Sequence, residues 1–370
     1  MKTSPLTLLA AATTAAAAGP RNVMYFDQWH KTTLPPKDVT AGINYVITAF
    51  APSTTFNWGS SYTPFMPLDD IRKLFDEGTK VCMAIGGWGD TSGFSTGAVS
   101  DESRKRYAKN VADALTALGY DCVDVDWEYP GGNGEDYKQN PNSGKVAEIE
   151  TYPLLLNEIK AAIGDKELSI AVPGKEGDMI AFTAAQVPKI AAAVDFVNVM
   201  TYDLMNRRDT VTNHHSSVEG SLATIETYLA RGMPAGKMNL GFAFYAKWFT
   251  TKDGATCDQP TGCPTAVLEN PDGGDTGLSG AVTFEAENYG GGAFLNAMTN
   301  GKPDTERGGQ WYWDAAAKVY WTWDTPEFIA EKVAEIVKAK KLGGVMGWSL
   351  AQDSHDWSHL KALQSGLKSL

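Results

Sequence analysis

Short runs rich in β-branched and aromatic residues alternate along this chain with longer stretches whose apolar positions repeat at helical spacing. The clearest long stretch is Asp101 to Leu118. Tyr107, Val111, Leu115 and Leu118 fall three or four residues apart there, which makes one helix face apolar. The short runs begin near Asn22, Asn44, Lys80, Asp121, Leu168, Phe196, Met238 and Gly343. Strands separated by helices join as parallel βα units, because each crossover returns the chain to the same end of the sheet. Eight such strands are what a closed (β/α)8 barrel needs, so an α/β TIM barrel is the predicted fold. Two helix starts carry their own signals. Ser216 with Glu219 has the spacing of a capping box, and Thr325-Pro326 puts proline in a first helical turn.

The interval between the last two strands, from Met238 to Gly343, is far longer than one helix and two loops require. Residues 250–318 are therefore expected to form a small α+β insertion between strands 7 and 8. The run is glycine- and aromatic-rich, as at Gly290 to Gly292 and Trp311 to Trp313. The barrel is expected to comprise 19–249 and 319–370. With 43% hydrophobic residues among 370, one large core is within reach of the composition.

Within the fourth strand region the pattern changes character. In Tyr120-Asp121-Cys122-Val123-Asp124-Val125-Asp126-Trp127-Glu128-Tyr129-Pro130, acidic residues at 124, 126 and 128 alternate with Val125 and Trp127. Residues two apart on a strand point to the same side, about 7 Å apart. Three carboxylates projecting together raise one another's pKa unless protons are shared, and a strand that only packs would avoid the crowding. A proton-handling site is the reading that uses it. A metal site is disfavoured because the five histidines show no paired ligand spacing such as H-E-x-x-H. Asp121 and Trp127 have the opposite parity, which points to capping and packing.

This run resembles the D-G-x-D-x-D-W-E signature of family 18 glycoside hydrolases, the chitinases. Other segments resemble the family's motifs in the same order: Ala84-Ile85-Gly86-Gly87-Trp88 the S-x-G-G-W segment, Met200-Thr201-Tyr202-Asp203 the M-x-Y-D motif, and Gly347-Trp348-Ser349 the end of the last strand. The resemblance runs from about Asn22 to the C-terminus. It implies that Glu128 is the general acid and later base, and that the substrate's own 2-acetamido group is the nucleophile. Asp126 would orient that group, Asp124 would share a proton with Asp126, and Tyr202 would hold the acetamido carbonyl. Substrate-binding roles follow for Tyr25, Phe50, Gly87, Trp88, Tyr129, Met200, Asp203, Tyr245 and Trp348, and the insertion would form one wall of the groove. Chitin and N-acetylglucosamine oligosaccharides are the expected partners, with no cofactor.

Three departures from the pattern stand out: Cys122 at the motif's glycine, Ala84 at its serine, and Ala246-Lys247 where Tyr245 would be followed by Gly-Arg. Ala84 removes a hydroxyl that would support the first aspartate. The alternative from a different class is a lectin-like protein that grips chitin oligosaccharides with little or no turnover, and another is an endo-glycosidase acting on N-linked glycans.

A net charge of −12 excludes the basic surface that nucleic-acid phosphates demand. Lys2, the apolar start at Leu6 to Leu9 and Ala16-Ala17-Ala18 read as an export signal over 1–18, so a secreted, extracellular chain is expected. No later stretch has the ~20 apolar residues that span a membrane. A monomer is expected. Cys257 and Cys263 enclose a short loop and are expected to form a disulfide, whereas Cys82 and Cys122, on successive strands with the same inward parity, are expected to be buried thiols, with a bridge between them left open because sequence does not supply the Cβ geometry. The His214-His215 pair reads as part of a polar loop without function.

Overall fold

The structure is a computed structural model that describes residues 19–370. The expected export signal at 1–18 lies outside the described residues. Seven strands follow one another with intervening helices: β1 (Arg21–Asp27), β2 (Tyr45–Ala51), β3 (Lys80–Gly86), β4 (Cys122–Asp126), β5 (Glu167–Pro173), β6 (Phe196–Met200) and β7 (Met238–Ala243). A five-stranded antiparallel sheet comes next, made of β8 (Tyr245–Thr250), β9 (Ser279–Thr283), β10 (Lys302–Asp304), β11 (Gly309–Asp314) and β12 (Val319–Trp323), in the order β10-β11-β12-β8-β9. The last strand, β13 (Gly344–Trp348), lies between β1 and β7 and closes a parallel eight-stranded barrel. The expected (β/α)8 architecture is therefore present, and the second sheet sits between its seventh and eighth strands. That sheet's inner strands β8 and β12 extend it beyond residues 250–318.

Parity does what the alternation requires. On β4, Val123, Val125 and Trp127 face the helices and are at most 1% exposed. Trp127 stacks on Phe94 with centroids 5.3 Å apart and meets the edge of Tyr152 at 5.5 Å. Burying an aromatic of this size removes 150–250 Å² from water, worth about 4–6 kcal/mol. Packing is thus the role of Trp127. Asp121, also of outward parity, accepts the Val81 backbone N–H at 2.8 Å and pairs with Arg72.

The helix Asp101–Leu118 forms where its stripe predicts. Ser100 and Ser103 cap it reciprocally, and Gly119 ends it at φ 80°, a left-handed conformation that costs glycine nothing. Thr325 caps the helix that opens with Pro326. The other predicted start is displaced by one residue. Ser217 accepts the Gly220 N–H at 3.1 Å and is the cap, while Ser216 is buried and donates to Asp324 at 2.7 Å. The buried Lys332 ammonium reaches both Ser216 and Asp324, so the hydroxyl serves an ion pair between the second sheet's end and the barrel.

The cysteines require a correction. Cys82 and Cys122 are bonded to each other, not free. Parallel register places them directly opposite on β3 and β4, both turned into the barrel, with Cα atoms 4.4 Å apart. Sequence parity carries no register, and register decides whether two inward thiols meet. Cys257 and Cys263 are also bonded.

Candidate active site

The inward positions of the barrel build the site from the bottom upward. Inside the barrel Arg21 donates to Asn239, Asn239 donates to Asn198, and Asn198 donates to Asp124 at 3.2 Å. Asp124 also accepts the Tyr25 and Ser169 hydroxyls, each at 2.6 Å. Its register neighbour Ala84 offers no hydroxyl, but the opposite neighbour on β5 is Ser169, which does. Three donors saturate a carboxylate that is fully buried. Burial still dominates: it raises the Asp124 carboxyl from 3.8 to about 6, while the three hydrogen bonds pull the other way.

One layer higher Asp126 is 4% exposed, and its Oδ1 has no hydrogen-bond partner. Burial, then the charges of Glu128 and Asp124, push its carboxyl well above 3.8. Glu128, past the end of β4, stands in the cavity above the barrel mouth. Desolvation there raises its carboxyl from 4.5 to about 7. The three acids therefore cannot all be charged near neutral pH, and the outermost can hold a proton up to about that pH.

Strand geometry at this point depends on glycine. Gly86 and Gly87 have φ 102° and 91°, and a Cβ on Gly86 would lie 2.3 Å from the Asp126 carbonyl oxygen. Gly87 donates its N–H to that same oxygen at 2.8 Å and lies against Phe50. Gly86 lines the cavity and Gly87 does not; Gly87 holds the β3 and β4 ends together from behind. Asp124 likewise lies beneath the cavity and supports it from below.

The other expected site residues, Tyr25, Phe50, Trp88, Tyr129, Met200, Tyr202, Asp203, Tyr245 and Trp348, all line one cavity of about 530 Å³ with Asp126 and Glu128. Trp348 closes its floor, stacked on Phe50 at 5.6 Å and tilted against Tyr25 at 5.4 Å. Trp88 is half exposed, 6.3 Å from Tyr129. Tyr202 points its hydroxyl towards Met346 Sδ at 3.7 Å, a weak partner that leaves it free to donate elsewhere. Tyr245 is the first residue of β8, one past the seventh barrel strand, and donates to Asp203 at 2.8 Å.

Asp203 is the site's most polar junction. Burial raises its carboxyl, but the Lys247 ammonium, hydrogen-bonded at 3.0 Å, and the nearby His215 outweigh that and hold it well below the carboxylate range. Lys247 thus supplies, as a point charge, what a planar guanidinium would supply as a fork. The His214-His215 reading is corrected here. Both rings are buried: His214 Nε2 meets Asp304 at 3.0 Å, and His215 lies 3.7 Å from Asp203 against the Tyr245 ring. Their polar sequence neighbours hid a position that only the second sheet's docking creates. The cavity also takes in Trp29, Lys175, Asp178, Arg207 and Arg208, which the motifs did not single out. The one available signal was the charged run Arg207-Arg208-Asp209 close behind the M-x-Y-D segment.

Among the described residues, no helix is long and apolar enough to cross a membrane. Solved structures share the architecture: a group IV chitinase from Ostrinia furnacalis has TM-score 0.72 at 22% identity, covering 95% of this chain and 100% of its own. A plant class V chitinase mutant from Cycas revoluta, solved in complex with (GlcNAc)3, has TM-score 0.69 at 21% identity, covering 93% and 98%. Among curated proteins, chitinase A1 of Niallia circulans is 29% identical over 78% of this chain and 42% of its own length. Chitinase 1 of Aphanocladium album is 25% identical over 90% of this chain and 81% of its own. The chain thus spans less than half of the first of these relatives and about four-fifths of the second. The family described as glycosyl hydrolases family 18 matches residues 21–353, nearly the whole of the described barrel and its second sheet. With its acidic strand end, its aromatic floor and this match in agreement, the chain belongs to glycosyl hydrolase family 18.

Proposed function

We propose that the chain is a secreted chitinase. It hydrolyses β-1,4 bonds between N-acetylglucosamine units with retention of configuration, by substrate-assisted catalysis. The observation that carries this reading is the pairing of Glu128, its carboxyl raised to about 7, with the unpartnered Oδ1 of buried Asp126 in one aromatic-floored cavity. The names of the relatives and the oligosaccharide complex of the Cycas protein support the substrate class. Two bonded cysteine pairs support export to an oxidising compartment.

Glu128 gives its proton to the glycosidic oxygen as the C1–O bond breaks, and the leaving chain departs with a free hydroxyl. The acetamido carbonyl oxygen of the sugar over Trp348 attacks C1 and forms an oxazolinium ring. Asp126 accepts the acetamido N–H through Oδ1, and its charge stabilises the cation. Tyr202 donates to the acetamido group and orients it. Glu128, now a carboxylate, takes a proton from water as the water oxygen attacks C1 and reopens the ring. Two inversions leave the β-anomer. Most glycosidases supply a protein carboxylate as nucleophile; here the substrate does, which is the known exception.

Proton NMR of a defined chito-oligosaccharide digest tests this. New β-anomer should appear first, while cellulose oligomers stay intact for lack of the acetamido group. Tight binding without release would instead establish a lectin-like protein, and initial α-anomer would exclude retention.

A further inference from the structure

Three loops meet at one end of the cavity and are fastened there. The loop after β4 (Gly131 to Gln139) and the segment Glu269 to Asp275, in the connection between β8 and β9, are far apart in sequence, yet they touch. The Tyr137 hydroxyl donates to Glu269 at 2.5 Å, and Gln139 donates to the Asp272 carbonyl at 2.8 Å. Arg207 and Arg208, from the loop after β6, fill the gap. Arg207 reaches Glu269 at 3.4 Å and the Gly273 carbonyl at 3.1 Å. Arg208 lies 3.6 Å from Glu269 and donates to the carbonyls of Asn133 and Gly134. The Arg208 guanidinium also stands 4.0 Å above the Tyr137 ring and 5.8 Å from the Trp88 ring. Glu269 is only 12% exposed at its side chain, so these pairs are shielded from solvent, where such contacts gain strength.

The fastening runs from one wall to the other: Trp88 of the β3 side, Arg208, then Glu269 of the β8–β9 connection. Arg207, Arg208, Asp275 and Trp88 line the same cavity as Glu128. The cleft therefore has a bound end. We infer that Glu269 is the hub of a clasp that closes the cleft beyond Trp88, so that the site admits a chain end and not a chain interior.

This rests on the chitinase reading, which also gives it a direction. In that reading the sugar attacked at C1 lies over Trp348, so the leaving sugars fall on the Glu128 side, where Tyr129 adjoins the acid and Trp88 stands 6.3 Å from Tyr129. The closed end is thus the reducing side. Few sugars fit between the scissile bond and the clasp, and the fragment released from the reducing end has a fixed, short length.

Chitotetraose, chitopentaose and chitohexaose hydrolysed in H₂¹⁸O read this out. Heavy oxygen enters the new reducing end, so unlabelled products by mass spectrometry are the original reducing-end fragments. The wild type should give the same short unlabelled fragment from all three substrates. Glu269→Ala should at least triple the share of longer unlabelled fragments from the hexamer, and Tyr137→Phe should move it in the same direction by less. Tyr137→Phe removes a single hydroxyl and keeps the test available should Glu269→Ala melt early. Unlabelled fragments that lengthen with the substrate in the wild type would overturn the clasp while leaving the chitinase reading intact. An unchanged distribution in the folded variants would overturn it equally. No product from the wild type would remove both.

Discussion

The barrel floor and the cavity rim are built on different physics. On the floor, Asp124 has three fixed donors, all on barrel strands (Tyr25 of β1, Ser169 of β5 and Asn198 of β6), and its geometry follows from period-two parity and parallel register. On the rim, Asp203 meets Lys247 and Tyr245 of the second sheet and His215 of a loop, and Glu269 meets Arg207, Arg208 and Tyr137 from two other loops. Rigid strands hold Asp124 and Asp126 to a narrow geometry, whereas the rim is assembled from loops and the second sheet, and its Asp203 adds to the charge that raises the Glu128 carboxyl. The floor should therefore answer for rate and the rim for which substrate is cut and where.

The largest effect should come from the acid itself. Glu128→Gln keeps the shape and has no proton to give, so turnover should fall by at least about 10²–10⁴-fold, with oligosaccharide binding by calorimetry nearly unchanged. Hydrolysis at the wild-type rate by a verified variant would take Glu128 out of the mechanism. Because the folded protein holds the Glu128 proton from about 4.5 up to about 7, that group's contribution to stability is lost as pH rises through this window. Glu128→Gln should accordingly melt no lower than wild type at pH 8.

The two disulfides compare the regions directly. Cys82–Cys122 closes a separation of 40 residues inside the barrel, and Cys257–Cys263 closes one of 6. Chain entropy puts the first at about 4 kcal/mol of stability and the second at about 2 kcal/mol. Cys82→Ser with Cys122→Ser should therefore lower the denaturant midpoint more than the corresponding pair at 257 and 263. The reverse order would show that the rim, not the barrel, limits unfolding.

The acid's pKa sets a smaller and graded effect. In the proposed mechanism activity needs protonated Glu128, so kcat/KM should fall about tenfold for each pH unit above about 7. The acidic limb belongs to the Asp124–Asp126 pair and should be read as an apparent value of the pair. Tyr202→Phe should be milder still. Its hydroxyl has only Met346 Sδ as a partner, so one hydrogen bond to substrate is lost, worth about 0.5–1.5 kcal/mol or up to about tenfold in kcat. A loss beyond a hundredfold would give Tyr202 a role in proton transfer.

What could be read from the residues divides along the same line. The eight strands, the outward packing of Trp127 and the inward stack of Asp124 and Asp126 follow from periodicity, because neighbouring residues carry that information. The serine lost at Ala84 could be read as a missing donor. Its replacement by Ser169 could not, since that requires knowing that β5 lies across from β4 in register. The Cys82–Cys122 bond, the buried His215 and the displaced cap at Ser217 share this origin. Each depends on which distant segment arrives alongside, and no local pattern records it. The clasp around Glu269 is a further case, with partners 132 residues apart in sequence.

The most direct test of the account is the identity of the sugar at each freshly made end of partly acetylated chitosan. If the substrate's acetamido oxygen is the nucleophile, the sugar on the non-reducing side of every broken bond must carry it, and sequencing of the new reducing ends should find N-acetylglucosamine alone. Fully deacetylated chains should stay uncut. Frequent glucosamine at the new reducing ends would contradict the mechanism and, with it, the roles assigned to Asp126 and Tyr202.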